Sequence, residues 1–272
     1  MNKNQLDTEL NISKFIEICR QDGQAAERFI VCYYNTRPMT TSFVDGGCNN
    51  GYHTFQAARH FQGKIIAVDA NGAIYSQFIE KLSEQSNDFQ QRILPVFGAL
   101  QSDNTLDTIS FFCSSSHPGR SSLNTKPWGQ WGKGKVIYEK SLEVPAHTID
   151  QLSKKYDLKD IGFIKLDLES GEFKALMGAQ NVLQSQRPHI AMEYGIKLNN
   201  QDLMGYSQYE LFAFFANQNY LLLSPWGEQI DVNKSYRFWY AFAIPREDLN
   251  ESVFCLQNIF QSSSWFFKKP VI

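Results

Sequence analysis

The sequence lacks the features that mark proteins which bind nucleic acids or span membranes. Its 26 Lys and Arg residues are balanced by 28 Asp and Glu residues, for a net charge of −2. Partners such as nucleic acids and anionic membranes usually require an excess of basic residues. The longest apolar runs, residues 29–34 and 238–244, are far shorter than the roughly 20 residues that cross a bilayer. We therefore expect no nucleic acid and no membrane as partner.

Cysteines are few, and none belongs to a recognisable pair. Five are scattered along the chain without any Cys-x-x-Cys spacing, and their number is odd. This distribution argues against a disulfide framework and against a structural zinc site. The start of the sequence contains acidic side chains and no apolar core of a secretory signal. We expect a cytoplasmic protein with reduced thiols.

The composition is otherwise that of an ordinary globular protein. With 272 residues, of which 43% are hydrophobic and 20% charged, the chain can bury a large core. Apolar positions at helical spacing, among them Ile12, Phe15 and Ile16, predict helices before the Arg37-Pro38 pair. We therefore predict an N-terminal helical cap over residues 1–40 and an α/β domain over residues 41–272.

A glycine-rich turn follows the first predicted strand. Residues 43–51 read Phe-Val-Asp-Gly-Gly-Cys-Asn-Asn-Gly and predict a short buried strand, a turn and the start of a helix. Glycines let the backbone approach a ligand closely, and the first turn of a helix offers unpaired N–H groups. A flat or anionic ligand could lie there. The same pattern also arises from packing alone, so both interpretations stay open at this point.

An acidic residue ends the second predicted strand. Residues 64–69 form a compact apolar run closed by Asp69, which stands 18 residues after Gly51. In nucleotide-binding folds an acid at about this distance accepts hydrogen bonds from ribose hydroxyls. The alternative is that Asp69 caps the helix that follows.

A second cluster of charge lies at the end of a later strand. Lys165, Asp167 and Glu169 alternate with apolar residues within residues 161–172. An exposed strand face would give the same alternation, but this run should be a central strand buried on both faces. Charged residues at the carboxyl end of a central strand point into the ligand crevice of an open α/β sheet. Asp167 is therefore a candidate functional residue.

Between the strand that ends in Asp69 and the charged run at residues 161–172, the sequence becomes polar and rich in turn-forming residues. Residues 105–145 begin with a predicted strand at 108–112 and continue as polar, turn-rich segments, which we interpret as an insertion that faces the substrate. A solvated linker is the alternative. Further along, we predict one helix over residues 171–184 and an antiparallel pair of strands at residues 220–223 and 237–244.

Taken together and in order, these motifs resemble those of the FkbM-like S-adenosylmethionine-dependent methyltransferases. The similarity covers residues 41–193 and includes the glycine turn at 43–51, the strand that ends in Asp69 and the Lys-x-Asp-x-Glu sequence at 165–169. The departures from the family pattern are Cys48 in place of alanine, Asp69-Ala70 in place of Glu-Pro, and Ser170 in place of glycine.

The resemblance implies a Rossmann-like class I methyltransferase fold. Such a fold has helices on both faces of a seven-stranded, mostly parallel sheet with one antiparallel strand. The implied cofactor is S-adenosylmethionine, with its methionine end at the glycine turn, its ribose at Asp69 and its adenine near the turn at Gly98. The cofactor-binding residues that the resemblance implies are Asp45, Gly46, Gly47, Asn49, Gly51, Asp69, Gly98 and Ala99.

Methyl transfer to a hydroxyl group requires a base as well as alignment of the reactants. Asp167 is the first candidate, because the resemblance places it beside the expected methyl position. The other candidate catalytic residues are Glu169, Lys165 and His53. Asp167, Glu169 and Glu193 could instead gather a divalent cation. No ligand spacing supports such a site, and we predict no metal.

The function that we expect is O-methylation of a small molecule or sugar. An NAD-dependent oxidoreductase is a second interpretation, although the glycine turn lacks the Gly-x-Gly-x-x-Gly spacing of dinucleotide-binding folds. A scaffold that binds a nucleoside cofactor without catalysis is a third, and the charged run at residues 165–172 argues against it. The oligomeric state is not predicted.

Overall fold

A seven-stranded sheet runs through the centre of the computed structural model, which describes residues 3–125, 136–194, 205–234, 236 and 238–262. Parts of two predicted segments, residues 126–135 of the insertion and residue 237 of the last strand, lie outside the described residues. The strands are β1 (Ser42–Gly46), β2 (Ile65–Asp69), β3 (Ile93–Phe97), β4 (Ala99–Leu100), β5 (Thr108–Cys113), β6 (Lys140–His147), β7 (Ile161–Leu166), β8 (His189–Glu193), β9 (Tyr220–Leu223) and β10 (Tyr240–Pro245).

The order of strands in the central sheet is β3-β2-β1-β7-β8-β10-β9. Neighbours from β3 to β8 are parallel, whereas β10 runs antiparallel to both β8 and β9. This arrangement confirms the predicted seven-stranded, mostly parallel sheet with one antiparallel strand. The chain moves outward from β1 to β3 and then returns to β7, so a crevice forms at the carboxyl ends of β1 and β7.

Helices pack against this sheet, and several begin with the caps that their sequences predict. Thr148 and Ser207 each form a capping box with the residue three positions later. No helix in the described part of the chain is long and apolar enough to cross a membrane. The described α-helices are α1 (Lys3–Gln21), α2 (Gln24–Tyr34), α3 (Tyr52–His60), α4 (Gly72–Ser83), α5 (Asn87–Arg92), α6 (Ile149–Lys155), α7 (Glu172–Met177), α8 (Gln180–Ser185), α9 (Gln208–Asn217) and α10 (Leu249–Ser262).

The prediction of one continuous helix over residues 171–184 is wrong, because α7 and α8 are separate helices that meet at Gly178. A Cβ atom at Gly178 would lie 2.0 Å from the carbonyl oxygen of Gln101, so only glycine fits there. The carbonyl group of Gly178 also accepts a hydrogen bond from the N–H group of Asp150 at 2.9 Å. The break therefore results from contacts with distant segments, which the helical periodicity does not reveal.

Aromatic side chains of β1, β7 and α2 form the core beneath the crevice. Phe43 and Phe163 stack with ring centroids 5.6 Å apart and an interplanar angle of 8°. Tyr33 and Tyr34 pack edge-on against Phe163. All four rings are buried, and burial of a side chain of this kind contributes about 1.5–3 kcal/mol. This packing fixes α2 against the two central strands.

A small second sheet combines two strands of the predicted insertion, β5 and β6, with β4, which precedes it. Its strand order is β4-β6-β5, with β6 antiparallel to β5 and parallel to β4. The sequence prediction missed β6, although Leu142 and Val144 alternate with the polar residues Ser141 and Glu143 as a strand requires. Pro145 and the turn-rich surroundings hide this alternation, since proline is rare within strands.

Candidate active site

An open cleft lies at the carboxyl ends of β1, β2 and β7, beside the insertion. Its empty volume is about 620 Å³. Carboxylate, amide and hydroxyl groups share its surface with aliphatic and aromatic side chains, so it offers both hydrogen bonds and apolar contacts. The residues that line it are Gly47, Asn49, Val68, Asp69, Ala70, Asn71, Ile74, Gly98, Ala99, Leu100, Phe111, Pro118, Gly119, Ser121, Leu123, Asp167, Leu168 and Glu169.

The glycine turn passes over the end of β2 and touches the end of β7. The N–H groups of Gly47 and Cys48 both donate to the carbonyl oxygen of Val68 at 2.9 Å. Gly47 has a φ of +75°, and a Cβ atom there would lie 2.0 Å from the carbonyl oxygen of Asp167. The N–H group of Asp167 donates to the carbonyl oxygen of Gly46 at 3.0 Å. Any side chain at position 47 would force the turn and Asp167 apart.

Asp69 ties the glycine turn to the start of the next helix. Its Oδ2 accepts a hydrogen bond from the N–H group of Asn49 at 2.9 Å, and its Oδ1 accepts one from the N–H group of Asn71 at 2.8 Å. Burial raises the pKa of Asp69, and these two hydrogen bonds oppose that shift. The N-cap of α4 is Asn71, whose side chain accepts from two N–H groups of the first turn. Asp69 is therefore not the helix cap.

Hydrogen bonds join the insertion to the rest of the cleft. The Nδ2 atom of Asn71 donates to the hydroxyl oxygen of Ser121 and to the carbonyl oxygen of Pro118, each at 3.1 Å. The hydroxyl group of Ser122 donates to the carbonyl oxygen of Glu169 at 2.6 Å. The insertion is thus attached both to the start of α4 and to the segment after β7.

Behind the cleft, Lys165 is buried between two carboxylates. Its Nζ donates to the carbonyl oxygen of Gly47 at 3.1 Å and lies 3.6 Å from Asp45 Oδ1 and 3.8 Å from Asp167 Oδ2. Asp45 also accepts a hydrogen bond from the hydroxyl group of Thr54 at 2.6 Å. Burial alone would lower the pKa of Lys165, but Asp45 and Asp167 outweigh it and the pKa is raised. Lys165 therefore stays a cation.

A buried tyrosine connects the cleft with the N-terminal helix α2. The hydroxyl group of Tyr240 lies 2.8 Å from Glu27 Oε1 and 2.9 Å from Asp167 Oδ2. Glu27 Oε2 in turn lies 2.6 Å from His53 Nε2. Burial and the carboxylates of Asp167 and Glu27 raise the pKa of Tyr240 well above its ordinary value. The phenol is therefore neutral.

Three carboxyl groups converge at one edge of the cleft. One oxygen atom from each of Asp167, Glu169 and Glu193 lies within 4.8 Å of the other two, and all three residues are half-buried. Oxygen atoms grouped in this way suit a hard divalent cation. The absence of a metal site stays a prediction.

The structure brings some of the predicted site residues together and separates others. Those that line the cleft are Gly47, Asn49, Asp69, Gly98, Ala99, Asp167 and Glu169. Asp45 and Lys165 lie behind it, in contact with Asp167 through the ion pairs of Lys165. Gly46, Gly51 and His53 are not among the lining residues.

Packing explains several of these positions. A Cβ atom at Gly51 would lie 2.5 Å from the ring of Phe55, so this glycine is required by the contact between α3 and its own turn. Gly98 has a φ of +142°, and a Cβ atom there would lie 2.5 Å from the carbonyl oxygen of Pro145 on β6. His53 is buried and faces Glu27 on α2.

The residues that the sequence prediction missed come from distant segments. Tyr240 and Glu27 meet although they are 213 positions apart in the sequence. Ser121 reaches the cleft from within a serine-rich loop that has no regular spacing. The role of Asn71 was predictable from the sequence, because an Asn that lies just before a helix, two residues after the acid that ends a strand, is a typical N-cap.

The strand order, the glycine turn after β1 and the acid at the end of β2 define a Rossmann-like class I methyltransferase fold. The chain belongs to the Methyltransferase FkbM domain family, which matches residues 45–222. This match confirms the family that the motifs predicted. No curated protein matches the sequence significantly.

Several solved structures are similar to this chain. A methyltransferase FkbM from Methylobacillus flagellatus KT has 14% identity and a TM-score of 0.45, with 75% of this chain and 43% of that chain covered. This chain therefore spans less than half the length of that protein. A precorrin-6y C5,15-methyltransferase from Geobacter metallireducens GS-15 has 10% identity and a TM-score of 0.43, with 80% and 86% covered. A Streptococcus mutans protein in complex with SAH has 10% identity and a TM-score of 0.44, with 80% and 97% covered.

Proposed function

We propose that the protein uses S-adenosylmethionine to methylate a hydroxyl group of a small molecule or sugar. The observation that carries this proposal is the position of Asp167. Its carboxyl group lines the cleft, its backbone contacts the glycine turn, and its Oδ2 faces the cation of Lys165. A carboxylate held in this way can accept the proton of a hydroxyl group. A hydroxyl acceptor needs such a base more than an amine acceptor does, because a neutral amine can attack before it loses a proton.

The residues of the cleft fit an adenosine-containing cofactor. Asp69, Asn49 and Asn71 supply polar groups, whereas Ile74 and Phe111 supply apolar surface. Ribose hydroxyls need polar partners and a purine ring needs apolar contact, so this mixed lining suits both halves of a nucleoside. Asp69 would hold the ribose, and the glycine turn with Asn49 would hold the methionine end. When bound, S-adenosylmethionine supplies an activated methyl group.

Within this proposal each charged residue has a separate task. Asp167 accepts the proton of the acceptor, and Glu169 beside it is the second candidate. Lys165 cannot act as a base because its raised pKa keeps it protonated, and its charge favours the ionised form of Asp167. His53 contacts Glu27 and does not line the cleft.

The cofactor is tested by calorimetric titration with S-adenosylmethionine, S-adenosylhomocysteine and NAD. We expect the first two to bind and NAD not to bind, because the glycine turn has the wrong spacing for a dinucleotide. Binding of NAD without S-adenosylmethionine would overturn the proposal in favour of an NAD-dependent oxidoreductase.

The acceptor is tested by following transfer of a labelled methyl group to sugars and hydroxylated small molecules, each paired with its amine analogue. We expect the label to appear on hydroxyl compounds. Transfer to amines alone would contradict O-methylation. Binding of S-adenosylmethionine without transfer to any compound would favour the cofactor-binding scaffold.

A further inference from the structure

We propose that Asp167, Tyr240 and Glu27 form a proton relay, which we call the relay triad. The relay carries the proton of the acceptor away from the cleft to the N-terminal helix α2. This inference rests on the proposed function, because Asp167 is the residue that takes the proton there. Both Tyr240 and Glu27 lie outside the residues that match the family, 45–222.

Tyr240 contacts two carboxylates but has only one hydrogen atom to donate to them. The phenol oxygen of Tyr240 lies within 2.9 Å of a carboxylate oxygen of Asp167 and of Glu27. A phenol has one hydrogen atom to donate, so it can satisfy only one of two ionised carboxylates. The other contact becomes a hydrogen bond when that carboxyl group is protonated and donates to the phenol oxygen. With one additional proton, both contacts of Tyr240 are hydrogen bonds.

The transfer step follows from this geometry. The O–H bond of the acceptor breaks, and the proton binds the carboxylate of Asp167. The protonated carboxyl group then donates its proton to the oxygen of Tyr240 while Tyr240 gives its own proton to Glu27. Tyr240 is neutral before and after the step, which agrees with the strong cost of ionising a buried phenol. One proton enters at Asp167, and one leaves from Glu27.

The two carboxyl groups at the ends of the relay are partly exposed, whereas the phenol between them is buried. The side chains of Asp167 and Glu27 are 31% and 24% exposed, whereas Tyr240 between them is 6% exposed. Asp167 is therefore open to the acceptor in the cleft, Glu27 is open to water on the side of α2, and Tyr240 joins them through the protein. His53 Nε2 lies 2.6 Å from Glu27 Oε2, at the end of the relay that is opposite to the cleft.

The charge around the relay triad is fixed by neighbouring elements. The titratable groups that face it are Lys165 on β7, Glu169 after β7, Asp45 on β1, Glu193 on β8, Cys19 on α1, Tyr52 and His53 on α3, and Tyr34 on α2. Of these, Lys165 is a permanent cation that contacts Asp167 and favours its ionised form. This contact favours the return of Asp167 to its ionised form after its proton has moved on.

The kinetic test uses Tyr240→Phe and Glu27→Gln, which remove the transferable proton and its destination with little change in shape. We expect each to lower kcat about 10- to 100-fold without changing the Kd for S-adenosylhomocysteine. The double variant should lose no more than the more severe single variant, because both changes interrupt one path. The matched control is Tyr194→Phe, since the buried hydroxyl group of Tyr194 has no hydrogen-bond partner among the described residues. Variants of Tyr240 and Glu27 with kcat within about twofold of wild type would overturn the relay.

A second measurement does not depend on turnover. In protein with ¹³C-labelled carboxyl groups, NMR titration should show Asp167 and Glu27 titrating as a coupled pair. Tyr240→Phe should uncouple them and shift the midpoint of Asp167. Independent titrations in wild type that Tyr240→Phe leaves unchanged would overturn the relay. If wild-type protein transfers no methyl group, the proposed function fails, and this titration still decides whether the triad shares a proton.

Discussion

Two buried polar networks lie at opposite ends of the parallel strands. In the amino-end network, His189 at the start of β8 accepts from the hydroxyl group of Tyr33 at 2.9 Å and donates to Asp248 at 3.0 Å. Both ring nitrogens therefore have partners when the imidazole is neutral. Buried polar atoms without a hydrogen-bond partner among the described residues occur beside both networks. They are Arg37 Nη1 and Ser252 Oγ near Tyr33, and Asp45 Oδ1 and His53 Nδ1 at the carboxyl ends.

The two networks differ in the charge that they hold and in their access to the cleft. The amino-end network pairs one imidazole with a phenol and a single carboxylate. The carboxyl-end network gathers Asp45, Asp167 and Glu27 around Lys165 and Tyr240, and it reaches the cleft through Asp167. Changes at the amino end should therefore alter stability, and changes at the carboxyl end should mainly alter activity.

The largest effect is expected from Asp167→Asn. Loss of the base should lower kcat about 10²- to 10⁴-fold, because asparagine keeps the shape of the side chain but cannot take a proton. The Kd for S-adenosylhomocysteine and the thermal midpoint should stay near those of wild type. Glu169→Gln is the matched comparison. If it lowers kcat more than Asp167→Asn does, Glu169 is the base.

Lys165→Met tests whether a residue of the carboxyl-end network also stabilises the fold. Removal of the cation leaves Asp45 buried without a counter-charge, which should lower the free energy of unfolding by about 3–5 kcal/mol. Urea denaturation measures this loss. Adding Asp45→Asn should recover much of it, since the uncompensated charge is then gone. A double variant that is less stable than Lys165→Met would contradict this account.

Asp69→Ala should weaken cofactor binding about 10- to 100-fold, as expected for loss of a charge-assisted hydrogen bond of about 1.5–3 kcal/mol. Asp69 also holds the N–H group of Asn49, so the variant could act through the turn. An S-adenosylhomocysteine analogue without ribose hydroxyls separates the two roles by calorimetry. If Asp69 binds the ribose, the variant should lose affinity for the natural ligand and not for the analogue. Equal losses would assign Asp69 to the turn alone.

The smallest effect concerns the amino-end network and pH. Burial lowers the pKa of His189 despite its hydrogen bond to Asp248. The unfolded chain therefore takes up a proton first as the pH falls, and stability is complete above the unfolded pKa of about 6.5 and declines below it. The slope is at most about 1.4 kcal/mol per pH unit. Urea denaturation between pH 8 and pH 5 should show this decline in wild type and a flatter profile in His189→Gln. Equal slopes would exclude His189 as the cause.

The sequence predicts the central sheet well because its strands are marked by local patterns. β1, β2 and β7 are short apolar runs, and the residues that follow them, such as Asp69 and Asp167, must lie at the crevice once the strands are parallel. Those two residues and Gly47 line the cleft. Because both faces of such strands are buried, each strand is a nearly continuous run of apolar residues, which is easily recognised in the sequence.

The parts that the sequence did not predict depend on contacts between distant segments. The break at Gly178 results from the approach of Gln101, and the contact between Tyr240 and Asp167 results from the position of β10 in the sheet. Neither Gly178 nor Tyr240 stands in a local sequence pattern that differs from its surroundings. Spatial neighbours of this kind become visible only in the folded structure.

The position of β10 between β8 and β9 also affects how the chain is made. Among the described strands, β9 pairs only with β10, so it emerges from the ribosome before its partner exists. Until then its edge is open to other chains, as is the edge of β8. Tyr240, the first residue of β10, also contacts Asp167 and is made 73 residues after it. Nascent chains that stop before this strand should therefore depend on chaperones and lack a finished active site.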